Sequence, residues 1–156
     1  MKTLFAIALA GLLATVNLSA PPAPRIAGAW RAVEVTMTAP IAQTIEPGPN
    51  LGFFSATRYS RTLVTGPQTP LDNYRDATAD QLRAAWGAFV GEAGTYEMSD
   101  RLMTLRPIAA KNTAAVGKPI VYSYRWLDGN TLLLTTVSDR NGPVAHPETI
   151  KLIRLE

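Results

Sequence analysis

The two ends of its β-rich region constrain this chain more than any other feature. The first strand-like run opens Gly28-Ala29-Trp30-Arg31, and the last, Ile150-Lys151-Leu152-Ile153-Arg154, carries an arginine. Strand signals run through Ala29–Thr36, Gly52–Ala56, Arg58–Val64, Thr95–Met98, Leu102–Arg106, Ile120–Leu127, Thr131–Val137 and Glu148–Leu155, with turn residues between them. Asp128-Gly129-Asn130 is a strong hairpin signal, and Ser99-Asp100 joins the pair before it. Eight short antiparallel strands leave two unpaired edges unless the sheet closes on itself, and closure makes the first and last strands neighbours. Trp30 can then plug the barrel floor with Arg154 flat on its indole, a stack worth roughly 0.5–2 kcal/mol. Gly28 lets the backbone pass close to that ring or turn sharply into the strand. Eight such strands suggest an all-β sandwich or a closed barrel.

One segment breaks the β pattern. Thr78-Ala79-Asp80-Gln81 is a capping box, with Thr78 as N-cap and Gln81 three residues on. Leu82, Ala85, Trp86, Phe89 and Val90 follow as one apolar stripe at helical spacing, so an α-helix is expected at about residues 79–90. It has two placements: packed beside the barrel, or across its mouth as a lid with Trp86 and Phe89 lining the cavity.

The first twenty residues read as an export signal. Lys2 is followed by an apolar run from Leu4 to Val16, 13 residues long and short of the roughly 20 that span a bilayer. Cleavage is expected near Ala20 or, because Leu18 and Pro21 suit that site poorly, a residue or two away; the alternative is that the segment stays as an anchor. Pro21–Arg25 is a proline-rich linker, and 26–156 form one domain. The protein is thus expected to be exported, to the periplasm or beyond. No cysteine is present, so no disulfide holds the fold and no thiolate binds metal. The net charge of +3 includes Lys2 and is too small and too dispersed to suit nucleic acid. After the leader, no apolar run of 18 residues occurs, so no transmembrane segment is expected in the mature chain.

Strand alternation gives an inward face. With Trp30 inside, Ala32 and Glu34 follow; with Arg154 inside, Leu152 and Ile150 follow. Ile120, Tyr122, Tyr124 and Trp126 form the bulky set of their strand, and Tyr96, Met98, Tyr59 and Arg61 fit the same logic. The candidate ligand-binding residues are Tyr59, Trp86, Phe89, Tyr96, Tyr122, Tyr124 and Trp126. They suit a mostly apolar molecule with one or two polar groups, unless they simply fill the barrel. Glu34 is the one candidate catalytic residue: an acid facing an apolar interior either has a raised pKa or takes a cationic partner such as Arg61 or Arg106, and the favoured alternative is a salt-bridged or rim-exposed glutamate without chemistry. His146 is the only histidine and sits in a loop, Val144-Ala145-His146-Pro147, where a solvated role is expected. No metal site, nucleophile motif, phosphate-binding glycine loop or cofactor is read from the sequence.

These features resemble the bacterial lipocalin-like domain family, relatives of the lipocalins in the calycin superfamily. Besides Gly28, Trp30 and Arg154, the stretch Gly91-Glu92-Ala93-Gly94-Thr95-Tyr96-Glu97-Met98 looks like that family's mid-domain strand entry. The stretch from Pro119 to Leu132 looks like its late hairpin. Leu152 stands where family members often show another tryptophan, and Pro40–Asn50 gives no match. The resemblance implies an all-β, eight-stranded antiparallel up-and-down barrel. The expected function, read from the aromatic inward wall, is binding of a small, largely apolar molecule in the barrel. The alternatives are an enzyme of the same fold (a cyclase, isomerase or dehydratase using Glu34 or a buried tyrosine) and an envelope interaction module. That module would have a filled barrel and meet a partner through Pro40–Asn50 or Ser138–Pro147.

Overall fold

A computed structural model describes residues 26–156; the export signal at 1–20 and the linker at 21–25 lie outside the described residues. Ten strands follow in chain order: β1 (Gly28–Met37), β2 (Gln43–Ile45), β3 (Asn50–Phe54), β4 (Arg58–Val64), β5 (Phe89–Met98), β6 (Leu102–Ala110), β7 (Ile120–Trp126), β8 (Thr131–Asp139), β9 (Gly142–Pro143) and β10 (Glu148–Arg154). Helix α1 (Ala79–Gly87) lies between β4 and β5, and a single 3-10 turn (Thr113–Ala115) between β6 and β7. Eight of the strands pair antiparallel in the order β1-β3-β4-β5-β6-β7-β8-β10, and β10 returns to β1, closing the barrel. The short β2 pairs with the far end of β1, and β9 with the end of β8.

The two barrel ends differ because the connections do. Three tight hairpins, at residues 55–57, 99–101 and 127–130, close one end. Asp128 shapes the last of them by accepting the Asn130 N–H at 2.7 Å. The four longer connections, at 38–49, 65–88, 111–119 and 140–147, all lie at the other end, which is the mouth. Alternation buries one face of each strand: Trp30, Phe54, Tyr59, Tyr96, Met103, Leu105, Tyr122, Leu132 and Leu134 form one core.

Three bulges reset that alternation. In β1 the pairing with β10 shifts between Ala32 and Glu34, so Glu34 opposes Lys151 and Val35 opposes Ile150. Between β5 and β6 the shift at Ala93/Gly94 leaves Ile108 without a partner. A Cβ at Gly94 would collide with the Arg106 carbonyl, so the strands approach this closely only over a glycine. The third shift lies between β7 and β8, at Val121/Tyr122.

The helix is shorter than its apolar stripe. Its capping box forms as expected, the Thr78 side chain accepting from the Gln81 N–H and the Gln81 side chain from the Thr78 N–H. It ends at Gly87, because Phe89 and Val90 pair with Val64 and Leu63 and start β5 six residues ahead of the expected Thr95. Ladder hydrogen bonds along β4 outweigh the continued helical spacing. Lys111, at the end of β6, donates to the carbonyls of Trp86 and Phe89 and so caps the helix C-terminus. No helix residue is buried, and α1 stands beside the mouth instead of across it.

Candidate functional site

The floor is built by the chain's two ends. Gly28 has φ +128°, and a Cβ there would lie 2.5 Å from the Glu156 carbonyl oxygen, so only glycine fits as β1 starts against the chain's end. Trp30 is buried and its Nε1 donates to the Ile26 carbonyl at 2.7 Å. The Arg154 guanidinium carbon lies 4.3 Å from the Trp30 ring centroid, and its Nη1 donates to the Ala27 carbonyl. Trp126 packs on Trp30 at 5.7 Å between centroids. Two tyrosines tie hairpins down beneath: Tyr96 Oη donates to the Ser55 carbonyl at 2.6 Å, and Tyr124 Oη to the Ser99 carbonyl at 2.7 Å. Burial pushes the Tyr96 phenol pKa up.

Above the floor lies a cavity of about 100 Å³, walled by Trp30, Ala32, Val35, Phe54, Leu63, Leu105, Leu134, Ile150 and Leu152, with Gly52 and Pro47. Its polar side chains are few. Asn50 stands where β3 leaves β1, and its amide mimics a peptide group: Oδ1 accepts the Ala32 N–H at 2.6 Å and Nδ2 donates to the Ala32 carbonyl at 2.9 Å. Arg61 reaches in from β4.

Arg61 also lines a second, outer cavity of about 310 Å³ toward the mouth, so its side chain is the partition between the two. It is held from both sides. Arg61 Nε donates to Glu92 Oε1 at 3.0 Å, Tyr59 Oη donates to the same oxygen at 2.9 Å, and Arg61 Nη1 donates to Tyr122 Oη at 3.0 Å. The Glu92 side chain is 6 % exposed and that of Arg61 31 %. Burial pushes the Tyr59 phenol well above its ordinary pKa, and the charge and hydrogen bond of Glu92 push it further. For Arg61 burial works against the charge, but Tyr122 and Glu92 outweigh it and raise the guanidinium pKa. The outer cavity is completed by Val90, Ala115, Ile120, Thr136, Asp139, Arg140, Val144, His146 and Glu148. Among the described residues no group of three or more His, Asp or Glu side chains is placed to hold a metal ion, and no helix is long and apolar enough to cross a membrane.

Eight antiparallel strands, each hydrogen-bonded to the next around the ring and the last to the first, over a floor sealed at one end, are the lipocalin architecture. The fold is lipocalin-like. Similar solved structures include a lipocalin-like protein from Bacteroides uniformis, 11% identical with a TM-score of 0.47, the match covering 82% of this chain and 97% of that one. An uncharacterized protein from Bacteroides eggerthii is 10% identical with a TM-score of 0.46, covering 82% and 98%. A redesigned β-barrel is 14% identical with a TM-score of 0.44, covering 85% and 93%. No protein-family model matches the sequence, and no curated protein matches it.

Within the lipocalin-like barrel the expected site residues divide into three groups. Tyr59 and Tyr122 join the Arg61–Glu92 network, and Tyr122 lines the outer cavity. Tyr96, Tyr124 and Trp126 build the floor and line neither cavity. Trp86 and Phe89 face a separate groove of about 370 Å³ outside the barrel, where Trp86 contacts Tyr74 and Phe89, so of the two placements the helix takes the one beside the barrel. Glu34 is corrected too: the bulge at Val33 gives its inward place to Val35, and Glu34 takes the outer face opposite Lys151. Arg61 does partner a buried acid, but that acid is Glu92, while Arg106 reaches Glu97, an exposed carboxylate, at 3.8 Å. The signal for Glu92 was its even spacing from Gly94, Tyr96 and Met98, hidden by starting the strand at Thr95. His146, expected in solvent, stands exposed in the outer cavity's wall.

Proposed function

We propose that this protein binds one small, largely apolar molecule inside its barrel, without chemistry. The observation that carries the reading is the apolar cavity held between the Trp30 floor and the Arg61 partition. A barrel evolved only for packing has no reason to leave such a space, since each void forfeits contacts along its lining. Apolar cavities of this order accept ring-sized molecules, as an engineered cavity of about 150 Å³ does with benzene. The outer cavity receives whatever projects from the apolar body. The enzyme alternative is weaker, because Glu34 faces away and Glu92, the buried acid, already accepts from Arg61 and Tyr59. We also read the protein as exported, on the strength of the leader at residues 1–20.

Native mass spectrometry of the protein, purified gently from the envelope fraction of its own cells, tests both points. The expected result is a chain beginning near residue 21 that carries a reproducible extra mass, lost on denaturation. A bare chain that also ignores a panel of apolar probes would overturn the binding reading, and a chain keeping its first twenty residues in the cytosol would overturn export.

A further inference from the structure

Among the side chains of the inner cavity, the hydrogen-bonding groups left for a ligand are the donors of Arg61. Of the polar residues in its wall, Asn50 has its amide taken up by Ala32 and Gly48, and Thr62 is exposed on the outer side of β4. That leaves Arg61. Two of its five N–H groups go to Glu92 and Tyr122, so three remain without a protein partner among the described residues. Glu92 and Tyr122 line the outer cavity and not the inner one. The charge is also already balanced: Glu92, itself almost enclosed, neutralises Arg61 across 3.0 Å.

We propose that the inner cavity selects a compact, uncharged apolar molecule bearing one hydrogen-bond acceptor, a ketone or aldehyde carbonyl, and discriminates against a carboxylate of the same shape. The inference rests on the binding reading above and names its ligand class. A carbonyl accepts a free Arg61 N–H without adding charge. A carboxylate loses its water on entry and leaves the cavity with an unbalanced anion, because Arg61, the cation in its wall, is already shared with Glu92. A pure hydrocarbon fills the space but leaves Arg61 donors without the water they held.

Three probes of similar shape separate these cases: acetophenone, benzoate and ethylbenzene, titrated calorimetrically into the purified protein at neutral pH. Acetophenone is expected to bind at least about tenfold more tightly than either of the others. In Glu92→Gln the unbalanced Arg61 charge should shift the preference toward benzoate by about tenfold or more. Benzoate binding the unaltered protein as well as acetophenone, or ethylbenzene doing so, would overturn the proposal. The comparison on the unaltered protein decides the matter even where Glu92→Gln fails to fold. Binding of ethylbenzene and acetophenone with equal strength defeats the carbonyl preference and leaves the apolar site standing, whereas indifference to all three defeats the site itself.

Discussion

Tyr59 shows how one side chain couples the site to the solution. It is buried, and its phenol donates to Glu92, itself almost fully enclosed. Its folded-state pKa therefore lies above the ordinary tyrosine value near 10. The sign follows from linkage. Below about pH 10 both the folded and unfolded phenol keep their proton, and the stabilisation is complete. Above it the unfolded chain loses its proton first, so stability falls as pH rises toward the folded value. Urea unfolding between about pH 9 and 11 should show this loss, and Tyr59→Phe should flatten it. The flattening is partial, because Tyr96 is shifted the same way. At neutral pH Tyr59→Phe should itself destabilise by about 1.5–3 kcal/mol, the usual worth of a hydrogen bond to a charged group. An alkaline profile equally steep in the variant would remove Tyr59 from the network.

Strand β1 carries the lesson at the level of elements. Its expected inward set was Trp30, Ala32 and Glu34, and its observed set is Trp30, Ala32 and Val35. Period-two spacing is dependable only while both strands advance in step, and the extra residue at Val33 breaks that step. Nothing in Val33 or its neighbours announces a bulge, since no glycine or proline is present there. Substitutions can read the faces directly. Val35→Asp should destabilise by at least about 2 kcal/mol by placing a charge in the apolar wall, while Glu34→Ala should stay within about 0.5 kcal/mol. The reverse order in thermal or urea unfolding would restore the unbroken register. The helix boundary was illegible for a related reason. Phe89 and Val90 satisfy both the helical stripe and the strand alternation, and only the partners Val64 and Leu63, 25 and 27 residues away, decide between them. The capping box was legible because its logic is local: Thr78 and Gln81 satisfy each other's backbone whatever the rest of the chain does.

At the scale of the whole molecule the legible part was its closure. Eight runs and a Trp–Arg pair at opposite ends of the sequence pointed to a ring, and β10 lies against β1 with Trp30 opposite Arg154. The cavity was less legible, because its lining is mostly aliphatic while the tyrosines and tryptophans that drew attention went to the floor, the outside or the Arg61–Glu92 network. The closure can be measured. Trp30→Ala and Arg154→Ala should each destabilise the domain, and the double variant should reveal a coupling of about 0.5–2 kcal/mol; purely additive effects would mean that the stack carries no energy of its own. The same closure brings the ends of the described chain together, the Ala29 N–H donating to the Glu156 carbonyl at 3.2 Å while Ile26 lies under Trp30. Both ends emerge at the sealed floor. A surface or partner that grips the molecule by either end therefore holds it like a cup by its base, with the rim and both cavities turned toward whatever passes by.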